Sequence, residues 1–354
     1  MPLSWAPLFT HEYLNYFAAK ALPEITCLEP VEVPGAPPPP EDVWPVGPEH
    51  VDLYREVAPV VRLLDPAAAS DPRLRNGDYP DVPPAGTRTR PWLVLVGYAC
   101  EPDLDLDVGL RLSRRQSVTG GSHGWRHMSF SLLGLRFGAC PGVLERHARV
   151  ALAYLSSGRA YWGWRYLARA SHYAADLGHP FHVKVFPRRK LAKLLFRLKR
   201  LYQLVAATHN AHEVYVQQRF RSEFVPFAEA VARGAKRGFE LAPVGPARFA
   251  GWVTRRGGQA AGVLNRLVEV LLGFAGGGLV ENYASLSPFD AEDSAKTTSR
   301  LERGALEVLF HDPGDPALEA LDRLTAPLLE EVGVTLGALF RAGVEAARTA
   351  RSRF

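Results

Sequence analysis

Three cysteines in 354 residues, Cys27, Cys100 and Cys140, are too few and too scattered for a disulfide framework or a thiolate metal knot. Any metal chemistry here must therefore use histidine and carboxylate. Long apolar runs are missing as well. The opening MPLSWAPLFTHEYLNYF has no basic start followed by an uninterrupted apolar stretch, so no secretory signal is visible and the expected location is the cytoplasm. The most apolar later window, 260–280, is interrupted by Arg266 and Glu269, which makes it a buried or interfacial helix and not a membrane span. Alternating runs long enough for strands do not recur, and no internal repeat is found. What is present is 47% apolar content, enough at this length to bury a substantial core.

The expected class is mainly α. Apolar residues at helical spacing predict helices over 11 to about 22, with Thr10 as cap, and over 51–64, 92–99, 141–156, 160–177, 189–220, 227–239 and 248–274. A further helical stretch with breaks is expected from 316 to about 350. Proline-rich chain separates the first helices: EPVEVPGAPPPPEDVWPVGPEH reads as loop or polyproline-like. The expected organisation is a catalytic domain over 1–235, with a proline-rich insertion at about 29–91, followed by a helical extension over 236–354.

Charge is unevenly spread. The net of +5 conceals a stretch, 108–200, with eighteen Lys or Arg against two acids, Glu145 and Asp176. Such polarity suggests a surface that meets an anion. Within it, KVFPRRKLAKLLFRLKR (184–200) carries eight basic residues and no acid, with Leu191, Leu194, Leu195, Leu198 and Leu201 forming an apolar stripe. That form suits an anionic membrane surface or a phosphate backbone, and equally a core helix with one wet basic side.

Histidine is the informative residue. SHYAADLGHPFHV (171–183) holds three of the chain's eleven. His172 and Asp176 are four apart, so on a helix they share a face and can point at one ion. Pro180 should end that helix and let His182 turn back towards the same region. In THNAHEVYV, His209 and Glu213 repeat the four-residue spacing. Neutral imidazole and carboxylate are what a divalent zinc accepts when no thiolate is offered. One such pair is expected by chance in a chain of this composition; the ordered set of five residues is more specific.

That set resembles the zinc-dependent phospholipase C and single-strand nuclease superfamily, whose signature is His-Tyr-x-x-Asp-x-x-x-Pro-x-His followed by His-x-x-x-Glu or Asp. HYAADLGHPFH (172–182) fills every signature position, with His179 where relatives usually have Gln. The second motif ends in Glu213, as in the phospholipase branch. The resemblance covers roughly 11–235 and implies an all-helical domain holding two or three zinc ions. It makes His182, His209 and Glu213 the ligands of one ion. His172 and Asp176 become ligands of a second, with Asp176 bridging to a third that takes His11. It also calls for one Asp, Asp103 or Asp107, and one imidazole, His123 or His127, in the second site. In secreted relatives the third ion uses the amino terminus of a processed tryptophan, whereas Trp5 has no evident cleavage site before it.

The activity so implied is phosphodiester hydrolysis by direct attack of an activated water, with Asp103 or Asp107 as base or orienter. Phospholipid is the expected substrate, and single-stranded nucleic acid the alternative. A non-catalytic member that binds membranes or polyanions is the remaining class. His179 and His212 are expected away from the ligand face.

Overall fold

The computed structural model describes residues 6–34, 86, 88–104, 121–132, 135–184, 198–275 and 316–352. Helices take 82% of the described residues and strands 3%, so the fold is mainly α. The expected helix over 51–64 and most of the basic stretch 184–200 lie outside them.

The first helix, α1 (Ala6–Lys20), starts earlier than its apolar pattern suggested. Pro7 sits in its first turn, where the missing N–H costs nothing, and Thr10 is inside the helix rather than its cap. After α2 (Pro23–Thr26), β1 (Val31–Glu32) pairs antiparallel with β2 (Arg88–Thr89). Then come α3 (Pro91–Gly97), a 3-10 turn (Glu101–Leu104), and α4 (Gly121–His127). A second two-stranded ribbon joins β3 (Phe130–Leu132) to β4 (Leu135–Phe137), with Phe130 facing Phe137.

The centre of the molecule is α6 (Ala160–Gly178), in which every residue from Tyr161 to Gly178 is buried. A helix apolar on one stripe only would face water; this one is covered on all sides. It packs antiparallel on α5 (Cys140–Ser156) through a short turn whose Gly158 has φ +81, a conformation open to glycine. Asn15 of α1 ties that helix to the centre, its amide donating to the Ser171 hydroxyl and the Leu95 carbonyl, both at 2.7 Å. Beyond α6 the chain runs through α7 (Pro180–Val183), α8 (Leu198–Arg221) and α9 (Val225–Glu240).

The long helix expected over 248–274 is broken. It forms α10 (Pro246–Ala260), a 3-10 turn (Ala261–Val263) and α11 (Leu264–Ala275). Glycines 257, 258 and 262 weaken the helical preference at the break, and the turn offers the Ala261 carbonyl to Lys184 Nζ at 3.3 Å. The opposite correction applies to the last segment, where α12 (Pro316–Arg351) runs unbroken for 36 residues with Pro327 inside it. Proline removes one hydrogen bond there. Packing of α12 on α5, α6, α9 and α11 holds the helix through it.

The tightest of these contacts is between α9 and α12. Gly234 and Gly238 face Gly333 and Gly337, and a β-carbon on any of them would run into the partner helix's backbone. The two backbones therefore approach closely along a full turn. Residue 235, the sequence-expected domain limit, falls inside α9.

Candidate metal centre

The site begins with a buried ion network that sets the position of α6. Glu101 shares its carboxylate between two guanidiniums one turn apart on that helix, accepting from Arg165 Nε at 3.0 Å and Arg169 Nε at 2.6 Å. Burial works to raise the Glu101 carboxyl, and Arg165 and Arg169 hold it below its usual range. Two of the cations counted in the basic stretch are thus consumed internally. Arg126 is a third buried cation; it donates to the Tyr173 hydroxyl at 3.4 Å and the Pro102 carbonyl at 3.3 Å.

One turn further along α6, His172 Nδ1 donates to the Ala99 carbonyl at 2.8 Å. Its proton is therefore on Nδ1, and Nε2 presents a bare lone pair. That nitrogen lies 3.1 Å from His127 Nδ1 and 3.4 Å from Asp176 Oδ2. His127 Nδ1 is 2.8 Å from the same carboxylate oxygen. His11, from α1, stacks on His172 with ring centres 3.7 Å apart and brings Nε2 to 3.5 Å from Asp176 Oδ1. Burial drives the His11 pKa down to about 3, so the ring is neutral, as a ligand must be.

The second cluster is built past the helix end. His179 terminates α6 in extended geometry (φ −87, ψ 124), Pro180 opens α7, and the chain doubles back. His182 then donates from Nδ1 to the His127 carbonyl at 2.8 Å, while its own carbonyl accepts from Ser129 N at 2.8 Å. The second imidazole tautomer is fixed in the same way as the first. Its bare Nε2 sits 2.8 Å from His209 Nε2 and 3.6 Å from Glu213 Oε1, and His209 Nε2 is 2.9 Å from Glu213 Oε1. His209 and Glu213 share one face of α8, as their spacing required. Burial alone would raise the Glu213 carboxyl; His209 first, then His182, holds it well below its usual range.

These atoms fit a cation. At His182, His209 and Glu213, three electron-pair donors converge with at most one proton among them, on His209 Nε2. Each of His172 and His182 has its orientation set by a backbone carbonyl on the far nitrogen, the arrangement by which proteins aim imidazoles at metals. Two groups have ligand atoms within 4.8 Å of one another: His11, His172 and Asp176, and His179, His182 and His209. Asp176 joins them, because Oδ1 also lies 3.6 Å from His182 Nδ1. The groups could hold a metal ion.

A cleft of about 540 Å³, counting its open mouth, exposes this centre. Its lining includes His11, Asp176, His182 and Glu213 together with Leu328, Leu329 and Val332 of α12.

The structure thus brings together His11, His127, His172, Asp176, His182, His209 and Glu213. His123 lies on α4 with His127, Asp103 lies in the 3-10 turn, and Asp107 is outside the described residues. Helical spacing puts His179 off the ligand face, whereas one of its ring nitrogens lies within 4.8 Å of ligand atoms of His182 and His209. The residue is past the last helical position. The residues of α12 were missed altogether, since nothing local marks a helix so distant in sequence as one wall of the site. No family model, curated protein or solved structure matches the chain. Among the described residues, no helix is long and apolar enough to cross a membrane.

Proposed function

We propose that this chain is a zinc-dependent phosphodiester hydrolase of the phospholipase C type. The observation that carries the reading is Asp176: its carboxylate lies within 3.6 Å of four imidazoles, those of His11, His127, His172 and His182. With the tautomers at His172 and His182 fixed, such a set suits more than one divalent cation. When bound, zinc supplies Lewis acidity towards phosphoryl oxygens and lowers the pKa of water. The chain's own residues do the rest. Asp176 ties the two clusters together, and Asp103 or Asp107 serves as base or orienter for the attacking water. Leu14, Leu328, Leu329 and Val332 line the cleft and favour a substrate with an apolar portion beside its phosphodiester, which supports phospholipid over nucleic acid.

The experiment is metal analysis of the purified chain together with hydrolysis of phosphatidylcholine micelles and of single-stranded DNA. Two or more zinc ions per chain and release of phosphocholine are expected, with both lost in Asp176→Asn. Turnover of DNA alone overturns the substrate assignment. Fewer than two ions and no turnover of either substrate overturns the enzyme and leaves a polyanion- or membrane-binding protein.

A further inference from the structure

His179 is a half-buried residue whose Nδ1 is shielded from solvent, and the hydrolytic reading gives it no part beyond its place beside His182 and His209. Its Nε2 lies 2.9 Å from His212 Nδ1, and His212 Nε2 lies 3.1 Å from the Thr325 hydroxyl of α12. Protons can run along this chain in two senses. If His212 donates from Nδ1, His179 must carry its proton on Nδ1, a buried nitrogen that has no hydrogen-bond partner. An unsatisfied buried donor is expensive. If instead His179 donates from Nε2, His212 accepts at Nδ1 and donates from Nε2 to Thr325, and both of its nitrogens are satisfied. The second sense leaves His179 Nδ1 as a bare lone pair.

A ring nitrogen of His179 also falls within 4.8 Å of ligand nitrogens of both His182 and His209. The ring centre is 5.1 Å from that of His182 and 5.2 Å from that of His209. We infer that His179 is a ligand of the divalent cation held by His182, His209 and Glu213, and that it closes the site with a fourth protein donor. The inference rests on the metal reading above and adds a division of labour to it. A cation with four protein ligands has no open position, which is the mark of a structural site. The exchangeable positions then belong to the cluster of His11, His172 and Asp176. His212 and Thr325 are positioning residues: they fix the His179 tautomer from outside, and α12 is thereby coupled to metal affinity.

The test is Co2+ titration of the full metal-free chain, followed by visible absorption and calorimetry. Wild type is expected to show one tight tetrahedral site with intense d–d bands and weaker sites of higher coordination. His179→Gln keeps an amide near the Nε2 position and deletes Nδ1; it should lose the tetrahedral bands and weaken that site by more than 100-fold. Thr325→Val removes only the outer contact and should weaken the same site by about 10–100-fold with its spectrum retained. Should His179→Gln fail to fold, cadmium NMR of nitrogen-labelled wild type replaces it, with coupling to three imidazoles at one ion expected and coupling to two overturning the inference. Unchanged Co2+ affinity and bands in a folded His179→Gln overturn it as well, leaving the enzyme reading intact. No Co2+ bound to wild type overturns both.

Discussion

A single proton position decides what His172 and His182 can do. Each spends its Nδ1 proton on a backbone carbonyl, Ala99 and His127 respectively, and so each turns a lone pair inward. The i, i+4 spacings of His172 with Asp176 and of His209 with Glu213 were legible because helical geometry alone brings such pairs together. The choice between His123 and His127 was not, because a seven-residue helix between irregular segments leaves no periodicity to read. Nor could composition tell that Arg126, Arg165 and Arg169 are interior groups. Glu101 carries the stability consequence. Replacing it with Gln leaves two buried guanidiniums without their anion, and removal of one partner from such a network costs about 3–5 kcal/mol. Urea denaturation of Glu101→Gln should show a loss of that size, with metal affinity reduced in parallel because the Ala99 carbonyl that orients His172 sits two residues away.

At the level of elements, the apolar periodicity located the helices well and their junctions poorly. The core stretches of α5, α9 and α12 follow from apolar residues at helical spacing, since burial of one face is what stabilises them, whereas α6 is covered on all sides. The split between α10 and α11, and the continuity of α12 through Pro327, depend on neighbours that lie far away in sequence. The contact of α9 with α12 shows why. Its specificity comes from an absence of side chains, at Gly234, Gly238, Gly333 and Gly337, and an apolar pattern does not register what is missing. Gly337→Val should force these helices apart and destabilise the protein by about 1–3 kcal/mol, the range for overpacked contacts. Thermal unfolding would measure the loss. The same substitution should widen the cleft, because Leu328, Leu329 and Val332 ride on the displaced helix.

Over the whole molecule, histidines set the response to acid. Burial lowers His11 to about 3 and His212 to about 4, from 6.5 for an exposed ring. Below pH 6.5 the unfolded chain takes up protons that the folded one refuses. The contribution is therefore complete above pH 6.5 and is lost as pH falls towards about 4 for His212 and about 3 for His11. For the metal-free protein this amounts to roughly 2 kcal/mol per ring at pH 5. The urea midpoint should drop accordingly between neutral pH and pH 5, and His212→Gln should flatten the dependence. A midpoint independent of pH over that interval would contradict neutral burial of these rings.

The proximity of Thr325 to His212 also has a temporal meaning. During synthesis, α1 leaves the ribosome first and α12 follows only after every other helix described here. His11 must wait, already made, for the wall that Leu328 and Leu329 complete. A metal ion taken by these histidines would thus meet the finished enclosure only after translation, because a nascent chain stalled before Pro316 holds the imidazoles without Leu328 and Leu329 beside them.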